Sequence, residues 1–178
     1  LRDAFLAASG LLDDPMYGPS QAVQRNGDGE VVVSSPQGAR RRSVYLSILR
    51  LNPETLLQAF DQPEMSVNCT QRSVSTVATQ ALTLLNSDQM VAAAEAFAQR
   101  LAREATDDPV RFAVRIAFAR DVTPDEQTLL TEFLTAQTEQ YREQSKPDQP
   151  VDDAAARHAA LADLCHMLLS ANEFAYID

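Results

Sequence analysis

The chain has 178 residues, with 15 Lys plus Arg against 25 Asp plus Glu, a formal net charge of −10, two Cys and no Trp. That length suits one ordinary domain, and 45% hydrophobic with 22% charged residues is a globular profile, not that of a disordered acidic tail. No stretch approaches the run of about eighteen apolar residues that spans a membrane, and an acidic chain lacks the basic footprint that nucleic acid requires. The charge is uneven: residues 1–75 hold seven basic and eight acidic side chains, residues 76–178 eight and seventeen.

Leu1, Phe5, Ala8 and Leu12 follow helical spacing, and Gly10 marks a stop. No capping residue precedes this helix and no basic-then-apolar signal opens the chain, so 1–178 is expected to be a single domain cut from a longer multidomain protein. Asn26-Gly27-Asp28-Gly29 separates Gln21–Arg25 from the β-branched run Val31-Val32-Val33, which predicts a β-hairpin. Val44, Leu46 and Ile48 alternate, so the β element near residues 21–50 is expected to be a hairpin or a three-stranded unit. Asn52 ahead of Pro53 predicts a capped helix through Leu56, Leu57 and Phe60 up to Pro63, and Met65–Arg72 reads as irregular.

From Thr76 onward the pattern is helical. Thr76 is a candidate cap for a helix through Ala81, Leu82, Leu84 and Leu85 that ends at Asn86, and Ser87 for one burying Met90, Ala94, Phe97 and Leu101. Asp108-Pro109 starts the next, with Val110, Ala113, Val114, Ala117 and Phe118 inward. Thr123-Pro124-Asp125-Glu126 spells a capping box leading into Leu129, Leu130, Phe133 and Leu134. Residues 144–151 read as a polar linker, after which Asp152 or Asp153 starts a helix bearing Leu161, Leu164, Cys165, Leu168 and Leu169. Asn172, tolerant of left-handed geometry, is expected to end it. The fold class is therefore mainly α, a bundle of about six helices with a small β element.

Cys165-His166 resembles the end of a C-x-x-C-H haem attachment site, but Ala162 stands where the first thiol belongs, so no haem is expected on this chain. His158 and His166 lie roughly 80° apart around a helix and do not converge as metal ligands; Asp163 or Glu173 would have to complete a shell. Neither catalytic nor metal-ligating residues are therefore assigned. Cys69 with His166 is a nucleophile and base on paper, and Cys69–Cys165 is a candidate disulfide, with two separate thiols the preferred alternative. Arg40-Arg41-Arg42, with Arg50 and Arg72, is the most unusual polar feature. Guanidinium groups suit docking of an acidic glycan or protein surface, but internal pairing with Asp61, Glu64 and the acidic helices is the simpler reading.

The order of segments carries a resemblance. Leu1-Arg2-Asp3-Ala4 through Gly18-Pro19-Ser20, Arg41-Arg42-Ser43-Val44-Tyr45, Phe60-Asp61, Cys69 with Arg72, Gln80-Ala81-Leu82 with Leu85-Asn86, and Ala162-Asp163-Leu164-Cys165-His166 through Asn172-Glu173-Phe174 are colinear across essentially the whole chain. Together they resemble the C-terminal part of a planctomycete domain of unknown function, found downstream of planctomycete-type cytochrome c-like domains in large exported proteins. The sequence departs from that pattern at Ala78-Thr79, where a Pro is common, and at Gln21-Ala22-Val23, where a Pro-rich stretch is usual. The resemblance implies an extracytoplasmic, periplasmic or cell-surface setting, haem only in a separate domain, and neighbouring domains of the same protein as partners; it brings no catalytic residues.

The reading that follows is a non-catalytic interaction or scaffold domain, with Arg41, Arg42, Arg50, Arg72, Asp61, His166 and Glu173 as candidate interaction residues and glycan or a redox protein as a further partner. The alternatives are a polysaccharide-processing enzyme using paired carboxylates, for which Asp61 and Glu173 are the first places to look, and an acidic docking surface for a redox partner.

Overall fold

The structure, a computed structural model, describes residues 1–62, 78–105, 107–144 and 152–176. Among these the chain is mainly helical with one small antiparallel hairpin. Helix α1 (Arg2–Ser9) buries Phe5, Leu6 and Ala8, and Gly10 ends it with φ +75°, a left-handed conformation that costs glycine little. Strands β1 (Val23–Arg25) and β2 (Val31–Val33) pair Val23 with Val33 and Arg25 with Val31. Their turn is organised by Asn26, whose Oδ1 accepts from the backbone N–H of Asp28 (3.1 Å) and Glu30 (2.9 Å), while Gly29 supplies the positive φ.

The alternation at 44–48 does not form a third strand. Ser43–Tyr45 is a single turn of 3₁₀ helix, and only one bridge, Gln21 with Leu46, follows it. The reason lies in α1. Asp3 accepts hydrogen bonds from the Ser43 backbone N–H (2.7 Å) and hydroxyl (2.6 Å), and Arg2 donates to the carbonyls of Ala39 (2.6 Å) and Arg41 (2.8 Å). Polar groups that a strand would offer to a ladder are thus committed to the first helix.

Helix α2 (Thr55–Ala59) begins two residues later than Asn52-Pro53 suggests. Its cap is the buried Glu54, whose Oε2 accepts from the Leu57 N–H (2.8 Å) while Oε1 accepts from Gln89 (3.0 Å), and Asn52 instead accepts from Arg25. The expected cap Thr76 and the segment Met65–Arg72 lie outside the described residues, as does most of the linker, 145–151.

Helices α3 (Ala78–Asn86), α4 (Asp88–Glu104), α5 (Pro109–Phe118), α6 (Pro124–Glu143), α7 (Asp153–Leu169) and α8 (Asn172–Ala175) complete the chain. Helix α4 is central, packed chiefly on α7 and α1, and α6 covers the other side of α7. Met90, Ala94, Phe97 and Leu101 form its buried stripe as their spacing predicts, joined by Leu161, Leu164, Cys165, Leu168 and Leu169 of α7. Asp108 caps α5 and Thr123 with Glu126 closes the capping box of α6. Leu129 is 65% exposed, because the covered side of α6 runs through Leu130, Phe133 and Leu134. Asn172 does not end α7 in a left-handed conformation; it opens α8, after a turn at Ser170.

Ala119 ends α5 at φ +55°, in the left-handed region where a Cβ is strained. Ala119→Gly is expected to raise unfolding stability by about 0.5 kcal/mol, the relief of strain exceeding the entropy glycine adds to the unfolded chain. Urea denaturation checks it, and a loss of stability would contradict it.

Candidate functional site

The end of α1, the last turn of α5 and the α8 segment enclose an open groove of about 1260 Å³. Its floor is apolar and small on the α1 side, with Ala4 and Ala7, and bulkier opposite, with Ile116 and Phe118 of α5. Phe174 and Tyr176 contribute its aromatic lining, and Arg100, Asn172 and Glu173 its polar groups. The Tyr176 hydroxyl donates to Oε1 of the buried Gln80 at 2.6 Å, which fixes the ring.

The groove's charges are balanced from within. Arg100 donates to the carbonyls of Ala7 (3.2 Å) and Ala8 (2.8 Å), completing the open end of α1, and its Nε donates to Glu104 at 3.0 Å. Arg120, in the loop after α5, donates to both oxygens of Glu126 (2.7 and 2.9 Å) and both of Glu173 (2.6 and 3.0 Å). This clamp ties the α6 capping box to α8. The Arg120 hydrogen bonds, followed by those of Thr123, hold the Glu126 carboxyl down at about 2, and Arg120 likewise lowers Glu173.

Glu126→Gln is therefore expected to flatten the acid limb of thermal stability. A carboxylate whose folded pKa is depressed contributes stability that is full above its ordinary value of 4.5 and is lost as pH falls from there toward about 2. Calorimetry from pH 6 to pH 2 reads this as a smaller fall in Tm for the variant; an unchanged slope would show that the clamp contributes nothing.

The described members of the sequence-predicted set meet different partners. Arg41 donates to the Tyr17 carbonyl (2.7 Å) and stacks on the Tyr45 ring at 4.3 Å, whereas Arg42 pairs with Asp3 (3.8 Å) and Asp14 (3.6 Å). Arg50 is exposed and enters no ion pair among the described residues. Asp61 sits in the turn after α2 with φ +55°. His166 lies on α7 with Nε2 3.0 Å from the Leu84 carbonyl, far in the chain from the Arg loop. Arg72, Glu64 and Cys69 lie outside the described residues. Among the described residues of the set, Glu173 alone borders the groove.

The chemistry of the remaining candidates is limited. Cys165 is fully buried and burial pushes its thiol well above the usual range, the opposite of what a nucleophile needs. His158 meets Glu95 at 2.6 Å, and that hydrogen bond lowers the Glu95 carboxyl. Among the described residues no group of three His, Cys, Asp or Glu side chains could hold a metal ion, and no helix is long and apolar enough to cross a membrane.

Arg120 is the residue that sequence reasoning missed. Its bond to Glu173 spans 53 positions, and the only local sign was an Arg placed just before the capping box. Residues 1–134 match a family described as PSD1, protein of unknown function (DUF1553), a span ending inside α6 and so before the Ala162–Phe174 segments. No curated protein and no solved structure matches the chain.

Proposed function

We propose that the chain, which belongs to the PSD1 family of proteins of unknown function (DUF1553), is a non-catalytic interaction or scaffold domain. The observation that carries this reading is the Arg120 clamp. The acidic groups nearest the groove are held ionised, whereas hydrolysis by paired carboxylates needs one of them raised and protonated to act as acid. The groove itself combines apolar and polar surface and is edged by self-neutralised charges, which suits binding.

By resemblance, the setting is an exported planctomycete cell-surface protein, with cytochrome c-like or carbohydrate-associated domains on the same chain and any haem in those domains. Cys165 is a free thiol buried in the core, in keeping with the preferred reading of two separate thiols.

The test uses the natural full-length protein. Arg42→Glu, which reverses a half-exposed charge away from the groove, is expected to loosen the association of this domain with its neighbours, read by limited proteolysis and small-angle scattering. An alanine scan of Arg41, Arg42, Arg50, His166 and Glu173 is expected to leave any turnover of the protein unchanged. Loss of a defined turnover without unfolding would overturn the reading.

A further inference from the structure

We infer that the groove between α1, α5 and α8 binds a neutral carbohydrate, stacking a sugar ring on Phe174 and Tyr176 with its hydroxyls bonded at the Asn172 end. The inference rests on the interaction reading above and names the ligand of that same site.

Charge decides the class. Each charged group lining the groove already has its counter-ion: Arg100 has Glu104, and Glu173 has Arg120, which Glu126 shares. Among the described residues an anionic ligand would find no unpaired cation lining the groove, and it would face Glu173. A cationic ligand would have to displace Arg120 from a two-point contact. A neutral ligand disturbs neither pair.

The lining then asks for two properties in one molecule. Ile116, Phe118, Phe174 and Tyr176 offer apolar and aromatic surface, against which a purely polar ligand gains nothing. A purely apolar ligand would strip water from Asn172, whose exposed amide makes no side-chain hydrogen bond among the described residues, and from the free lone pairs of Glu173. A pyranose ring satisfies both demands. Its C–H faces are apolar, its equatorial hydroxyls donate and accept, and planar amide and carboxylate groups pair with adjacent hydroxyls. The fixed Tyr176 ring, held by Gln80, offers a stacking face with little side-chain freedom left to lose.

The test titrates the full-length protein with hexasaccharides of β-linked glucose, mannose, galactose and N-acetylglucosamine, with hexagalacturonate as the anionic arm and an anilinonaphthalene sulfonate dye as the apolar arm. Calorimetry and ligand-observed NMR read the binding. At least one neutral hexasaccharide is expected to bind, with affinity weakened roughly tenfold by Phe174→Ala and by Asn172→Ala. Asn172→Ala is exposed and is expected to leave thermal unfolding unchanged, so a folding defect in the Phe174 variant does not blunt the test. Absence of neutral binding at millimolar concentration, binding indifferent to both variants, or preference for the anionic or apolar arm overturns the inference. If Arg42→Glu still loosens the protein's assembly while no sugar binds, the interaction reading stands and the carbohydrate falls; a sugar cleaved at the groove overturns both.

Discussion

Replacing Arg2 by alanine is expected to lower the unfolding free energy by about 3 kcal/mol, the scale of breaking a buried charged network. Arg2 is only 2% exposed, and burial lowers the pKa of its guanidinium despite the nearby charges of Glu54 and Asp3. Its Nη atoms donate to the carbonyls of Ala39 and Arg41, and Nη1 also reaches the Ser43 hydroxyl at 3.4 Å. Removing the side chain leaves those carbonyls without donors and opens space beneath the 39–43 loop. Its Nε has no partner, so the site is not ideal even when intact. Arg2→Lys, with one compact ammonium in place of a fork, is expected to fall between wild type and Ala. Urea denaturation gives the stability, and hydrogen exchange at Ser43 and Leu46 gives the local effect. A loss below about 1 kcal/mol for Arg2→Ala, the size of one ordinary hydrogen bond, would mean that α1 does not organise the loop.

The long helices were legible because their signals are local. Pro109 and Pro124 at first positions, Asp108 and Thr123 as caps, and apolar residues at helical spacing in α4 and α7 all act within a few positions. Asn26 and Gly29 marked the hairpin for the same reason. What stayed hidden depends on distant partners. An Arg at the first residue of a helix reads as solvated until the 39–43 loop folds over it. The alternation at Val44, Leu46 and Ile48 implies one shared buried face, yet only Leu46 is buried, because Asp3 turns the start of the segment into a 3₁₀ turn. Leu129 fits the apolar pattern of α6, but the side that α7 covers is one residue round.

The site was less legible than the fold. Arg41 and Arg42 look like one cationic patch in sequence, but neighbours on extended backbone point apart, so one meets Tyr17 and Tyr45 and the other Asp3 and Asp14. Glu173 was named without its partner, because a loop residue 53 positions away carries no periodicity to betray it. The groove is invisible in sequence for a simpler reason: alanines on α1 and aromatics near residue 174 become one surface only after α4 and α5 have positioned both.

Phe97→Ala is expected to cost about 3–5 kcal/mol, a large share of the roughly 5–15 kcal/mol that holds a typical domain folded. Phe97 has no exposed surface and lies in the middle of α4, the helix that joins α7 to α1. Truncation removes the transfer energy of the ring and leaves a cavity that flanking Leu101, Val114 and Leu164, all nearly or fully buried, can fill only by shifting whole helices. Phe97→Leu keeps most of the volume and is expected to cost about 1–2 kcal/mol. Leu129→Ala removes an apolar side chain of comparable hydrophobicity from an exposed position and is expected to change stability by no more than about 0.5 kcal/mol. The three variants separate burial from hydrophobicity: urea midpoints should fall in the order Leu129→Ala, Phe97→Leu, Phe97→Ala, with m-values unchanged. Since α1 packs on α4, Phe97→Ala is also expected to weaken ligand binding at Asn172 and Phe174 without touching either residue. Equal losses for Phe97→Ala and Leu129→Ala would place the core elsewhere.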